Sequence, residues 1–278
     1  MSLCRHAAFA LLVPVVAALL SAPAAASVCD APEEGLATGP LPLGFGPGAL
    51  GTPRRACPRT EVAVGAVGGA IVEPESFYGN LSGAAVVDGS FALSPRLEVF
   101  GSLEPVLYRT VISSFSASHL GVGHSALGAT FVVLDEGPLV VGVTSRAVLP
   151  TAFGYYKNAF PLGLESGLTL AFQPVDFLRL YGQASGLGTV MLTAGDPNPR
   201  AGLLAAGGAE LRFGEWAALV GEVRGLGLYD ADLDSLSLGL GLRARVWAGL
   251  GAEAGVLVPI AGRERSLGIG TLRVSYRF

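Results

Sequence analysis

Leu272-Arg273-Val274-Ser275-Tyr276-Arg277-Phe278 alternates apolar and polar residues one for one. In an extended strand successive side chains point to opposite faces. Leu272, Val274, Tyr276 and Phe278 therefore share one face, and Arg273, Ser275 and Arg277 the other. One face suits an apolar medium, the other water or opposite charge. The pattern recurs upstream. Leu236, Leu238, Leu240, Leu242, Ala244 and Val246 oppose Arg243 and Arg245, and Leu162, Leu164, Leu168, Leu170 and Phe172 oppose Glu165, Thr169 and Gln173. Carried through the chain, the period of two predicts twelve strands, near 61–73, 82–94, 96–107, 120–134, 139–149, 161–173, 177–188, 202–213, 216–228, 236–248, 250–261 and 267–278. Each is long enough to cross a bilayer when tilted. Short connections at Pro95, 135–138, 174–176, 214–215 and Gly249 alternate with longer ones at 74–81, 108–119, 150–160, 189–201, 229–235 and 262–266. Outer-membrane barrels set short periplasmic turns against long external loops, and an even strand number brings both ends to the periplasmic side.

Composition demands such a fold. Of 278 residues 51% are hydrophobic and only 14% charged, where a soluble domain carries about 25% charged residues to coat its exterior. Beyond the first 30 residues no apolar run reaches 18, which excludes helical spans. A closed barrel is then the remaining way to satisfy backbone polar groups in lipid. The charges in the strands sort accordingly. Arg96, Arg146, Arg179, Arg212, Arg224, Arg243, Arg245, Arg273 and Arg277, with Glu61, Glu73, Asp88, Glu98, Glu104, Glu165, Glu210, Glu222 and Glu253, all fall on one side of their strands. Random placement would do this about once in 128 trials, and a lipid-facing charge costs about 2–4 kcal/mol at mid-membrane. The expected fold is an all-β, twelve-stranded antiparallel transmembrane barrel over 61–278.

Residues 1–26 read as a signal peptide: Arg5 precedes the apolar stretch Ala7 to Leu20, and Ala24-Ala25-Ala26 offers a cleavage site. Residues 27–60, broken by glycine and proline, read as a loosely held periplasmic segment. Cys4 departs with the signal, leaving Cys29 and Cys57 to pair in an oxidising compartment. That bond would restrict the unfolded chain by about 3–4 kcal/mol. The arginines are dispersed and form no basic patch among aromatics, so no nucleic-acid partner is expected.

The alternating run ending in Tyr276 and Phe278 resembles the C-terminal signal by which the barrel assembly machinery recognises bacterial outer-membrane proteins. More narrowly, Gly121-Val122-Gly123-His124-Ser125-Ala126-Leu127-Gly128-Ala129, followed by Leu149-Pro150-Thr151, is similar to a pattern in the meta-pathway phenol-degradation family of outer-membrane proteins. That family usually has an acidic residue where His124 stands and a glycine after Thr151. The resemblance implies a porin-like barrel in the outer membrane of a Gram-negative bacterium, in contact with its lipid, admitting aromatic compounds.

Nine basic against nine acidic lumen residues admit two readings. They line an aqueous pore, with Arg243 and Arg245 foremost for contacting a solute beside Arg224, Glu222, Glu253, Arg146 and Arg179. Or they pair into an internal plug, since buried charges need partners. Strands 1–3 are acid-rich and strands 10–12 base-rich, so Glu61 with Arg273 or Arg277 would zip the seam where the barrel closes. Phe153, Tyr155, Tyr156 and Phe160 crowd one external loop, as a gate or as part of an interfacial girdle, and Trp216 and Trp247 suit the opposite girdle. Catalysis is not expected. A membrane-embedded hydrolase needs His and Ser on one face, two residues apart, whereas Ser118 and Ser125 directly neighbour His119 and His124. Asp230, Asp232 and Asp234 have the spacing of half a calcium loop, but Ser235 and Gly241 stand where its glycine and glutamate belong. Neither metal nor cofactor is expected. The expected function is passive passage of small solutes, apolar or aromatic ones included, against a plugged structural or adhesive barrel that works through its external loops.

Overall fold

The structure, a computed structural model, describes residues 28–30, 54–73, 78–112, 117–151, 159–193, 198–227, 235–262 and 266–278. Thirteen strand segments build one sheet: β1 (Glu61–Glu73), β2 (Tyr78–Ser94), β3 (Leu97–Ile112), β4 (Ala117–Gly121), β5 (Ser125–Glu136), β6 (Leu139–Leu149), β7 (Ala159–Val175), β8 (Leu178–Thr193), β9 (Asn198–Phe213), β10 (Ala217–Gly227), β11 (Ser235–Trp247), β12 (Leu250–Ala261) and β13 (Ser266–Arg277). Apart from β4 and β5, sequence neighbours pair antiparallel, and β13 returns to pair with β1 from Glu61 opposite Arg277 upward. The ring is thereby closed, and no edge is left for lipid to meet.

Segments β4 and β5 both pair with β3, at Leu107–Val111 and Leu97–Leu103 respectively. They are two halves of one wall position, so the barrel has twelve strands. The single strand expected at 120–134 is broken at Val122–His124. Other departures lie at the long-loop end. There β2, β3, β8 and β9 run about four or five residues past the periodicity, because backbone pairing continues beyond the apolar band. Gly137, Gly214 and Gly249 hold positive φ in the short turns, which a side chain at Cβ would disfavour.

Alternation decides what each face meets. Along β11, Leu238, Leu240 and Leu242 are exposed outward while Gly239 and Gly241 between them, and Arg243 beyond, are buried. Phe91, Phe177, Phe213, Trp216, Trp247, Tyr276 and Phe278 are exposed around the short-turn rim, as an interfacial aromatic belt requires. Arg96 is no lumen residue: it lies exposed in the turn between β2 and β3, clear of both strands.

Candidate functional site: the barrel lumen

The inward charges form direct pairs, several set by register. Arg146 stands opposite Glu165 and bonds to its carboxylate. Arg243 stands opposite Glu253 and donates to it through Nε and Nη2 at 2.9 and 2.7 Å. Its Nη1 reaches past β10 to Glu210 on β9, at 2.8 Å. Glu222 accepts from Arg224 at 2.6 Å and from the hydroxyl of Tyr181 at 2.8 Å. At the seam Arg273 donates to Glu61 at 2.7 Å. These groups are nearly all buried, so each relies on its partner rather than on water. Arg245 differs from Arg243. It keeps the same side of β11 but stands at the rim, half-exposed beside a register shift, with only Glu215 4.0 Å away. The inward face has ended there, and Arg245 belongs to the mouth.

Buried glutamates on the wall (Glu61, Glu98, Glu104, Glu165, Glu210, Glu222 and Glu253) outnumber its buried arginines (Arg146, Arg179, Arg224 and Arg243) by three. Three arginines from the N-terminal segment pair with two of these glutamates. Arg54 and Arg55 donate to the two oxygens of Glu98 at 2.6 and 2.8 Å, and Arg59 pairs with Glu61 at 3.0 Å. The guanidinium of Arg54 lies over the Phe100 ring, 3.6 Å from its centroid, and its backbone N–H donates to Gln183 on β8 at 2.5 Å. Glu98 and Gln183 come from walls four strand positions apart, so the segment crosses the interior. Cys29 and Cys57 are disulfide-bonded, with Cα atoms 5.2 Å apart. The bond holds a short 3₁₀ turn, Val28–Asp30, against Ala56. Val28, Ala56 and Cys57 are buried among Val132, Val140 and Ala171 near the short-turn end, and Arg179 donates to the Val28 carbonyl. These described pieces of 27–60 are fastened inside the barrel, not loosely held outside it. Opposite charges and an apolar footing are both waiting there.

Two apolar groups complete the lining. Ala126, Val148, Leu187 and Leu204 cluster with Leu226, and Val67, Ala84, Val86 and Leu107 cluster with Leu257 and Ile269. All but Leu107 share strand parity with the charges, and Leu107 reaches the same face past a register shift in the β2–β3 pairing, so a reading that follows charge alone passes over them. Equally unread were Arg54, Arg55 and Arg59, although the acid surplus of strands 1–3 beside an arginine-bearing segment was a usable signal. At the break between β4 and β5, Gly123 donates to the Glu104 carbonyl at 2.8 Å, and the backbone N–H of His124 to the Glu104 carboxylate at 3.1 Å. A Cβ at Gly123 would overlap that carboxylate. The Ser125 hydroxyl bonds with Thr151 at 2.9 Å rather than with His124. Tyr155 and Tyr156, the aspartates at 230, 232 and 234, and residues 1–26 lie outside the described residues; Phe160 is placed by its backbone, opposite Leu192.

Fold and lumen together define an outer-membrane-type β-barrel. Among solved structures, an outer membrane channel from Pseudomonas putida F1 aligns at a TM-score of 0.59 and 12% identity, over 80% of this chain and 96% of that one. The beta domain of the Bordetella autotransporter BrkA aligns at 0.56 and 12% identity, over 79% and 100%. The KdgM porin aligns at 0.50 and 9%, over 78% and 99%. No family model and no curated protein matches the sequence. The similarity to the phenol-degradation family thus rests on residues 121–129, which contain the break in the wall, and on 149–151 beside it.

Proposed function

We propose that this barrel is a porin-like channel for passive passage of small solutes across a Gram-negative outer membrane, with its short-turn end towards the periplasm. The observation that carries the reading is what fills the lumen. Eight strands enclose an interior that side chains just fill, and sixteen leave an aqueous channel. Here the wall side chains leave room for two further stretches of chain and a disulfide, so the bore is wider than its lining. A channel obstructed by a separate segment can conduct when that segment shifts. The apolar clusters above the charged layer suit apolar or aromatic solutes, in line with the local family resemblance. Tyr276 and Phe278, exposed on the last strand, would be read by the barrel assembly machinery. Nothing in this reading calls for catalysis or a cofactor.

A plugged structural or adhesive barrel is the second reading, favoured by the near-complete pairing of the lumen charges. Single-channel recording of the refolded chain in planar bilayers, with an Arg54→Ala/Arg55→Ala variant alongside, separates the two. Discrete current steps, larger in the variant, are expected of a channel. Silence from both, with folding confirmed by heat-modifiable mobility, would favour the plugged barrel and its external loops.

A further inference from the structure

The contacts around Arg54 have the form of a ligand site. Glu98, fully buried, supplies the charge and Phe100 supplies an aromatic face 3.6 Å from the guanidinium carbon, while Gln183, from the far wall, accepts from the backbone N–H of Arg54 and holds its main chain in place. A carboxylate oxygen accepting from one N–H of a planar cation and a ring against its face are two contacts by which a guanidinium is recognised. Among the described residues every cation paired with Glu98 comes from the segment and none from the barrel. A second observation lies further along the same face of β3. Glu104 is buried, and its Oε1 has no hydrogen-bond partner among the described residues. The β1–β3 wall therefore holds more acceptor capacity than the barrel satisfies.

We infer that this wall is a subsite for organic cations with a planar, delocalised head such as guanidinium, and that Arg54 is its tethered occupant, displaced by the solute that passes. The inference rests on the channel reading and gives it a solute class. Residues 54–60 contribute no strand to the barrel, so their release leaves the ring of backbone pairing whole. A tethered group acts at an effective concentration on the order of millimolar, which a free solute can match. Anions are repelled by Glu98 and Glu104, and neutral aromatics bring no charge to replace that of Arg54, leaving Arg55 alone on Glu98.

The test uses the full chain with its disulfide intact, agmatine as probe, and benzoate and potassium chloride as controls at equal ionic strength. Two readouts are taken together: proteinase K cleavage within residues 54–60, followed by mass, and current in a planar bilayer. Agmatine is expected to speed cleavage about tenfold over potassium chloride, as exchange of one charge-assisted contact implies, while benzoate does not. Glu98→Gln should be cleaved fast without agmatine and gain nothing from it. Arg54→Ala, which keeps Glu98, should respond at about tenfold lower agmatine, and decides the matter if Glu98→Gln fails to fold. Cleavage indifferent to agmatine, or equally sensitive to benzoate, overturns the subsite even where current is steady, and leaves the channel standing. Agmatine-dependent cleavage beneath a silent bilayer keeps the subsite and removes the channel.

Discussion

Arg243 ties two strands of the lumen wall to its own, because three of its N–H groups are spent on two carboxylates from different strands. Removing it takes a charged partner from Glu210 and Glu253 at once. Arg243→Ala should therefore cost about 3–5 kcal/mol, read as a lower urea midpoint of the protein folded into bicelles. Arg245→Ala, at the half-exposed rim, should cost under about 1 kcal/mol. Equal losses for the two would contradict the placement of Arg243 inside and Arg245 at the mouth. Sequence could pair these arginines by strand side but not separate them by depth, since depth depends on where β11 meets the bulge at Val246.

At the level of the strands, parity was legible because the bilayer punishes error: a charge on the outer face has no solvent there. Leu240→Arg, on the exposed face of β11, should destabilise the barrel by about 2–4 kcal/mol, in the same unfolding assay. A neutral result would mean that the face does not meet lipid. The break between β4 and β5 was less legible, since Val122-Gly123-His124 continues an apolar and small-residue run without marking a bulge. Gly123→Ala should drive the Glu104 carboxylate from its place and lower the urea midpoint, whereas Gly221→Ala, where a Cβ meets nothing, should leave it near wild type. The glycine- and proline-rich segment has no periodicity at all. The docking of its described pieces inside the barrel depends on charges that only the closed ring gathers on one wall, so no local pattern announces it.

For the whole molecule, the chain contains two tryptophans, and both Trp216 and Trp247 are exposed at the short-turn rim. Lipids brominated near the glycerol backbone should quench their fluorescence more strongly than lipids brominated at the chain ends. Stronger quenching from the bilayer centre would place that rim at the wrong depth. The ring itself was readable from twelve alternating runs; its contents were not, because period two tells which side a residue faces and nothing of what else is there. Glu61 illustrates the difference. Its carboxylate receives both Arg59, two residues away, and Arg273, 212 residues away. The first contact is available to the chain almost as soon as Glu61 is made, the second only after nearly all of it has followed. Contacts so distant in sequence form late, so the segment carrying Arg59 has its partner in hand before the cylinder shuts, and the vessel is built around its own stopper.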